Sequence, residues 1–181
     1  YHLGNIYCDA QDIQLGIRMY LKAIQIIPRY AEAYNNIGNT YILMGRNEEG
    51  IKYCQLALGI DDSMSHAYYN LGNAYYNLGQ KAKSIEMLKK SIKLNPVYLE
   101  AYNNLASGYA EAGNLDEAIR LWNQCVKLDP NFMVAHFNLA VFYFERKEYA
   151  LAIKHCDRIL ALGGQVDSRF LEKLKPYWNK R

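Results

Sequence analysis

Four asparagines, Asn36, Asn70, Asn104 and Asn138, follow one another at a constant step of 34 residues. Asn39 and Asn73 each stand three residues beyond a member of that series, and Asn77 extends it at the end of the same helical stretch. A carboxamide offers a donor and an acceptor side by side, the complement of a peptide unit's C=O and N–H. Evenly stepped carboxamides can therefore hold an extended chain while reading little of its side-chain sequence. Each such hydrogen bond contributes about 0.5–1.5 kcal/mol net, so four give roughly 2–6 kcal/mol before ordering costs. That is weak binding without additional anchors. Tyr69, Tyr76, Phe137 and Phe144 lie near these asparagines in sequence and are the aromatic side chains able to supply them.

Other chemistry is not visible. The chain contains no G-x-x-x-x-G-K-[ST], no G-x-G-x-x-G opening a helix after a strand, no G-x-S-x-G and no H-E-x-x-H. His2 and His66 occupy different polar repeat positions, His136 a core position and His155 the middle of a second helix, a scatter that points to packing or surface roles rather than metal ligation. Cys8, Cys54, Cys125 and Cys156 form no C-x-x-C pair. They read as buried free thiols, which fits a reducing and hence cytoplasmic setting better than an oxidising one. The expectation is a protein that is not an enzyme and uses no cofactor or metal.

The elements that must position the asparagines follow from the repeat. The stretch A-Y-N-N-I-G-N-T-Y at 33–41 returns as A-Y-Y-N-L-G-N-A-Y at 67–75 and A-Y-N-N-L-A-S-G-Y at 101–109. A looser copy, A-H-F-N-L-A-V-F-Y, fills 135–143, and H-L-G-N-I-Y at 2–7 is a truncated one. With Ala31 as position 1, full repeats run over 31–64, 65–98, 99–132 and 133–164, after a partial repeat at 1–30. A period of this size decides the architecture before local propensity does.

Each repeat reads as two amphipathic helices. In the first, positions 4, 7, 8 and 11 hold Tyr34, Ile37, Gly38 and Tyr41, and their counterparts recur in the later copies; spacings of three and four put them on one face. Gly45, Gly79 and Gly113 then mark a turn, a second helix carries small residues at positions 20 and 27, and Pro28, Pro96 and Pro130 close their repeats. Positions 6 and 9, where the asparagines stand, fall opposite the apolar face. Solvation or inheritance by duplication would also put Asn there. However, Asn is a poorer helix former than Glu, Lys or Gln, and position 6 stays Asn in all four full repeats while positions 5, 12 and 13 vary.

The small residues at 8, 20 and 27, Tyr at 11, Pro at 32 and the 34-residue step resemble the tetratricopeptide repeat, TPR, over residues 1 to about 164. Gln11 and Lys147 in the Gly position, and Gly164 in the last Pro position, depart from the pattern at the two ends. The resemblance implies an all-α fold, a right-handed α-solenoid of about five antiparallel helix pairs. In such a solenoid the face of the first helix bearing Asn36, Asn39, Asn70, Asn73, Asn77, Asn104 and Asn138 lines a concave groove, to which the partial repeat adds Asn5 and Asp9. The series is similar to the asparagine ladder of the TPR superhelix of O-GlcNAc transferase. The carboxylate clamp of chaperone-binding TPR proteins, by contrast, needs cations that positions 5 and 6 here lack.

After Gly163–Gly164 the pattern changes. Asp167 or Ser168 can cap a helix, and Phe170, Leu171, Leu174 and Tyr177 form an apolar stripe, so 167–175 reads as a helix covering the end of the array, with Pro176 ending or kinking it. Residues 165–181 are thus a capping helix and tail. No cap is visible before the partial repeat, which suggests that the native chain extends further. Net charge is only +3, and the basic residues concentrate on second helices, so neither nucleic acid nor a membrane is the expected partner. The function these readings support is a scaffold binding an extended or disordered protein segment. The alternatives are the substrate-recruiting arm of a larger enzyme, such as a glycosyltransferase, and an assembly subunit that stacks through its repeat ends.

Overall fold

The computed structural model describes residues 10–178, with side chains from Ile13 onward. His2, Asn5, Cys8, Asp9 and the tail residues Asn179–Arg181 lie outside the described residues. All the regular structure described is helical: α1 (Ala10–Ile26), α2 (Ala31–Leu43), α3 (Asn47–Ile60), α4 (Ser65–Asn77), α5 (Lys81–Leu94), α6 (Leu99–Glu111), α7 (Leu115–Leu128), α8 (Met133–Glu145), α9 (Tyr149–Ala161) and α10 (Ser168–Trp178). Among the described residues no helix is long and apolar enough to cross a membrane.

The helices fall into two compact units, Tyr1–Pro96 and Val97–Arg181. In the first, α2 pairs with α3 and α4 with α5, α1 rests on α2, and the pairs join through α3 against α4 with α2 beside α4. Its core holds Ile37, Cys54, Leu71 and Leu88. The small residues set how closely the helices cross. A Cβ on Gly38 would stand 2.6 Å from Cys54 Sγ and 3.0 Å from the Gly50 carbonyl oxygen, well inside contact distance.

In the second unit α6 pairs with α7 and α8 with α9, α7 packs on α8, and α10 lies against α9. Trp122, Leu139, Ile153 and Leu174 are its large, fully buried side chains. Leu174 of α10 closes over Ala140, Ala152, Ile153 and Cys156. Pro176 does not end this helix; it sits inside α10, which continues to Trp178. Tertiary packing overrides the local preference, because Tyr177 stacks on Tyr149 with ring centroids 3.6 Å apart and holds the last turn in place.

Each first helix ends in the same way. The position-16 N–H bonds to the carbonyl of the position-11 Tyr, seen as Arg46 to Tyr41 at 2.9 Å and Glu148 to Tyr143 at 2.9 Å. This closure needs a left-handed residue at position 15. Gly45, Gly79 and Gly113 provide it, and in the last repeat Lys147 adopts φ 61° to do the same.

The buried thiols are pushed up by desolvation, Cys54 and Cys125 to about 12 and Cys156 to about 11, so they behave as apolar fillers rather than nucleophiles.

Candidate functional site

The first-helix faces carry the asparagines, but these do not all stand ready for a ligand. In the first unit Asn70 Nδ2 donates to Asn35 Oδ1 at 2.9 Å, and the two side chains are only 6% and 7% exposed. In the second unit Asn138 Nδ2 donates to Asn103 Oδ1 at 3.1 Å. The same Asn103 oxygen accepts the Trp122 indole N–H at 3.1 Å, and Asn103 Nδ2 donates to Asn104 Oδ1 at 3.2 Å. A position-5 carboxamide of one repeat thus pairs with the position-6 carboxamide of the next, 35 residues away. Each pairing satisfies polar groups that burial would otherwise leave without partners, which would cost about 1–3 kcal/mol.

This corrects the sequence reading in three places. Position 6 is not free of packing duty, because Asn70 and Asn138 tie neighbouring first helices together. Asn77 donates to Asn47 Oδ1 at 2.9 Å and links the end of α4 to the start of α3. Phe144 does not join the other aromatics on the first-helix face; its ring meets Tyr149 and Phe170 edge-on at 5.5 and 5.3 Å, inside the cluster under α10.

The remaining candidates keep an outward position. Asn36 and Asn39, one turn apart on α2, are partly exposed, and their carboxamides make no side-chain hydrogen bond among the described residues. On the adjacent α4, Asn73 and Tyr69 are partly exposed and Tyr76 is 41% exposed. On α8, Phe137 is 47% exposed beside exposed Val134. Asn104 of α6 is partly exposed and bonded to Asn103.

A second cluster escaped the sequence reading. His136 of α8 and His155 of α9 are both buried, with Nδ1 atoms 2.8 Å apart. Tyr143 lies parallel to His155, 9° between planes and 5.7 Å between centroids. These are repeat positions 4, 11 and 23, which in the repeat 31–64 hold Tyr34, Tyr41 and Tyr53, also in ring contact. The signal was present in the sequence: positions 4 and 23 both become His in one repeat. Taken singly, each looked like an ordinary packing residue. Among the described residues no third His, Cys, Asp or Glu joins the two into a metal-ligand set.

Comparison with known proteins agrees with this architecture. Profiles described as tetratricopeptide repeat match residues 29–96, 69–131 and 103–167, and one described as TPR repeat matches 4–45. No curated protein sequence matches the chain. Among solved structures, a crystal structure of MamA is 26% identical with a TM-score of 0.75, covering 90% of this chain and 95% of that one. MamA residues 41 to the end from Desulfovibrio magneticus RS-1 give 18% identity and a TM-score of 0.73 over 87% and 89% of the two chains. YrrB, described as a TPR protein with an unusual peptide-binding site, gives 23% and 0.68 over 95% and 88%.

Proposed function

We propose, from the premise that the chain belongs to the tetratricopeptide-repeat family, that this protein-interaction scaffold takes an extended peptide segment on the exposed face of α2 and α4. One observation carries the reading. Asn36 and Asn39 keep their carboxamides out of every side-chain hydrogen bond among the described residues, while Asn70, Asn77 and Asn138, at or near equivalent positions, are engaged by neighbouring asparagines. Asn is a poor choice for a helix face unless its amide has work to do. With Tyr69 and Tyr76 on the adjacent helix, the face offers paired donors and acceptors next to flat apolar surface, which suits main-chain recognition with one or two side-chain anchors. YrrB's peptide-binding site belongs to YrrB; at 23% identity its likeness to this chain is one of fold.

The test is selection of unstructured peptides from a random library on the wild-type chain, followed by affinity measurement on the Asn36→Ala/Asn39→Ala variant. Loss of two hydrogen bonds at about 1 kcal/mol each predicts binding roughly tenfold to thirtyfold weaker. The variant's unfolding free energy should not fall below that of wild type and should rise by up to about 1 kcal/mol, since Ala is the better helix former. Asn103→Ala is the contrasting control. It removes the acceptor of both Trp122 and Asn138 and should lower stability by about 1–3 kcal/mol. Selected peptides that bind the double variant as tightly as wild type would refute the assignment.

A further inference from the structure

The histidine pair has a consequence of its own, apart from the first-helix faces. His136 Nε2 lies 3.1 Å from the Pro130 carbonyl oxygen, which can only accept, so Nε2 carries the proton. In a neutral imidazole the other nitrogen is then a bare acceptor. His136 Nδ1 therefore accepts a hydrogen bond from His155 Nδ1–H across the 2.8 Å contact, which makes His155 the Nδ1–H tautomer. His155 Nε2 is left with a lone pair and no hydrogen-bond partner among the described residues, on a residue that is only 7% exposed.

His155 belongs to the lining of a cavity of about 530 Å³ between α7, α8 and α9. Val126, Pro130, Leu151 and Ala161 make its walls largely apolar. Asn123, Lys154, Asp157 and Arg158 also line it, Lys154 and Arg158 as exposed side chains. Tyr143, also in the lining, accepts from Asn123 Nδ2 at 3.2 Å, while its own hydroxyl proton has no acceptor among the described residues. The volume lies within the roughly 300–1,000 Å³ of small-molecule sites. Away from the exposed Lys154 and Arg158, the acceptor on His155 and the donor on Tyr143 match a group that both donates and accepts. We propose that this cavity is a binding site for a neutral, mostly apolar alcohol or phenol, whose hydroxyl donates to His155 Nε2 and accepts from Tyr143. An anionic ligand would bring a second acceptor to the imidazole lone pair, and a purely apolar one would leave that lone pair buried without a donor.

The test uses the full chain labelled with ¹⁵N on its histidines, with phenol as probe and anisole, of similar shape but without the donor, as control. The expected spectrum of the free protein has His155 protonated at Nδ1 and bare at Nε2. Phenol should bind saturably at about millimolar strength, shifting the Nε2 resonance, and anisole should bind at least about tenfold more weakly. His155→Leu, the residue type found at the same repeat position as Leu121, should abolish the preference. An Nε2–H tautomer in the wild type, equal binding of the two probes, or a response to zinc and not to phenol would each overturn the proposal. These readings on the unmodified chain stand whether or not the variant folds.

Discussion

His155 shows what one buried ring adds to the chain's response to acid. Desolvation, then His136 and Lys154, hold its protonation down to about 4 from the ordinary 6.5. His136 and Tyr143 of α8 touch it, and Asn123 of α7 with Lys154, Asp157 and Arg158 of its own helix line the same cavity. A folded-state value below the unfolded one means that the unfolded chain binds the proton first. Stability is therefore fully present above pH 6.5 and is lost as pH falls from there towards 4. The full difference corresponds to about 3 kcal/mol, and solvent screening of the ring reduces the expected loss to about 1–2 kcal/mol. Urea unfolding of wild type and His155→Leu across that range measures it, and parallel pH profiles would contradict the assignment. The asparagines make the complementary point. Asn70 and Asn138, at one repeat position, each bond to an Asn on the preceding first helix, whereas the residue 35 before Asn36 is Tyr1, outside the described residues.

Among the elements, the turns between paired helices are the most uniform, and the last one contains the departure with a measurable consequence. Lys147 is the only non-glycine at positive φ among the described residues, with the Schellman bonds of the other repeats intact around it. A left-handed conformation costs a residue with a Cβ about 1–2 kcal/mol, while glycine adds unfolded-state entropy that cancels part of the gain. Lys147→Gly should accordingly raise the unfolding free energy by about 0.5–1 kcal/mol. A drop in stability would mean that the Lys147 side chain contributes more than its backbone costs. The turn was legible in the sequence from Gly45, Gly79 and Gly113. That a lysine would copy their geometry was not, because the bonds enforcing it run to Tyr143 and Phe144 carbonyls presented by the folded helix.

At the scale of the molecule, repeats stabilise one another through nearest-neighbour contacts, so an end element matters for what it covers. We propose α10 as the C-terminal cap. Leu174 is fully buried against α8 and α9 residues, with Phe170, Leu171, Tyr177 and Trp178 packed against the same cluster. Leu174→Ala should cost about 2–5 kcal/mol, read by chemical denaturation. Tyr149 and Trp178 fluorescence should change early in the transition if α10 detaches first. A loss below about 1 kcal/mol would show that the helix rests on its aromatic contacts instead.

The repeated pattern of small and apolar residues was sufficient, by itself, to determine the helix pairs, their 34-residue step and membership of an all-α repeat family. The reason is that close helix crossings such as Gly38 on Cys54 and Gly50 tolerate few residue types and so leave a periodic trace. Which asparagines remain available was decided only in three dimensions. The pairing that removes Asn70 and Asn138 joins residues 35 apart, one more than the period, so a repeat-by-repeat reading misses it. The same holds for Phe144, drawn under α10 by Phe170, and for the two histidines, whose Nδ1–Nδ1 contact depends on where α8 and α9 meet. Periodicity records what every repeat needs; contacts between particular repeats are recorded only in the packing.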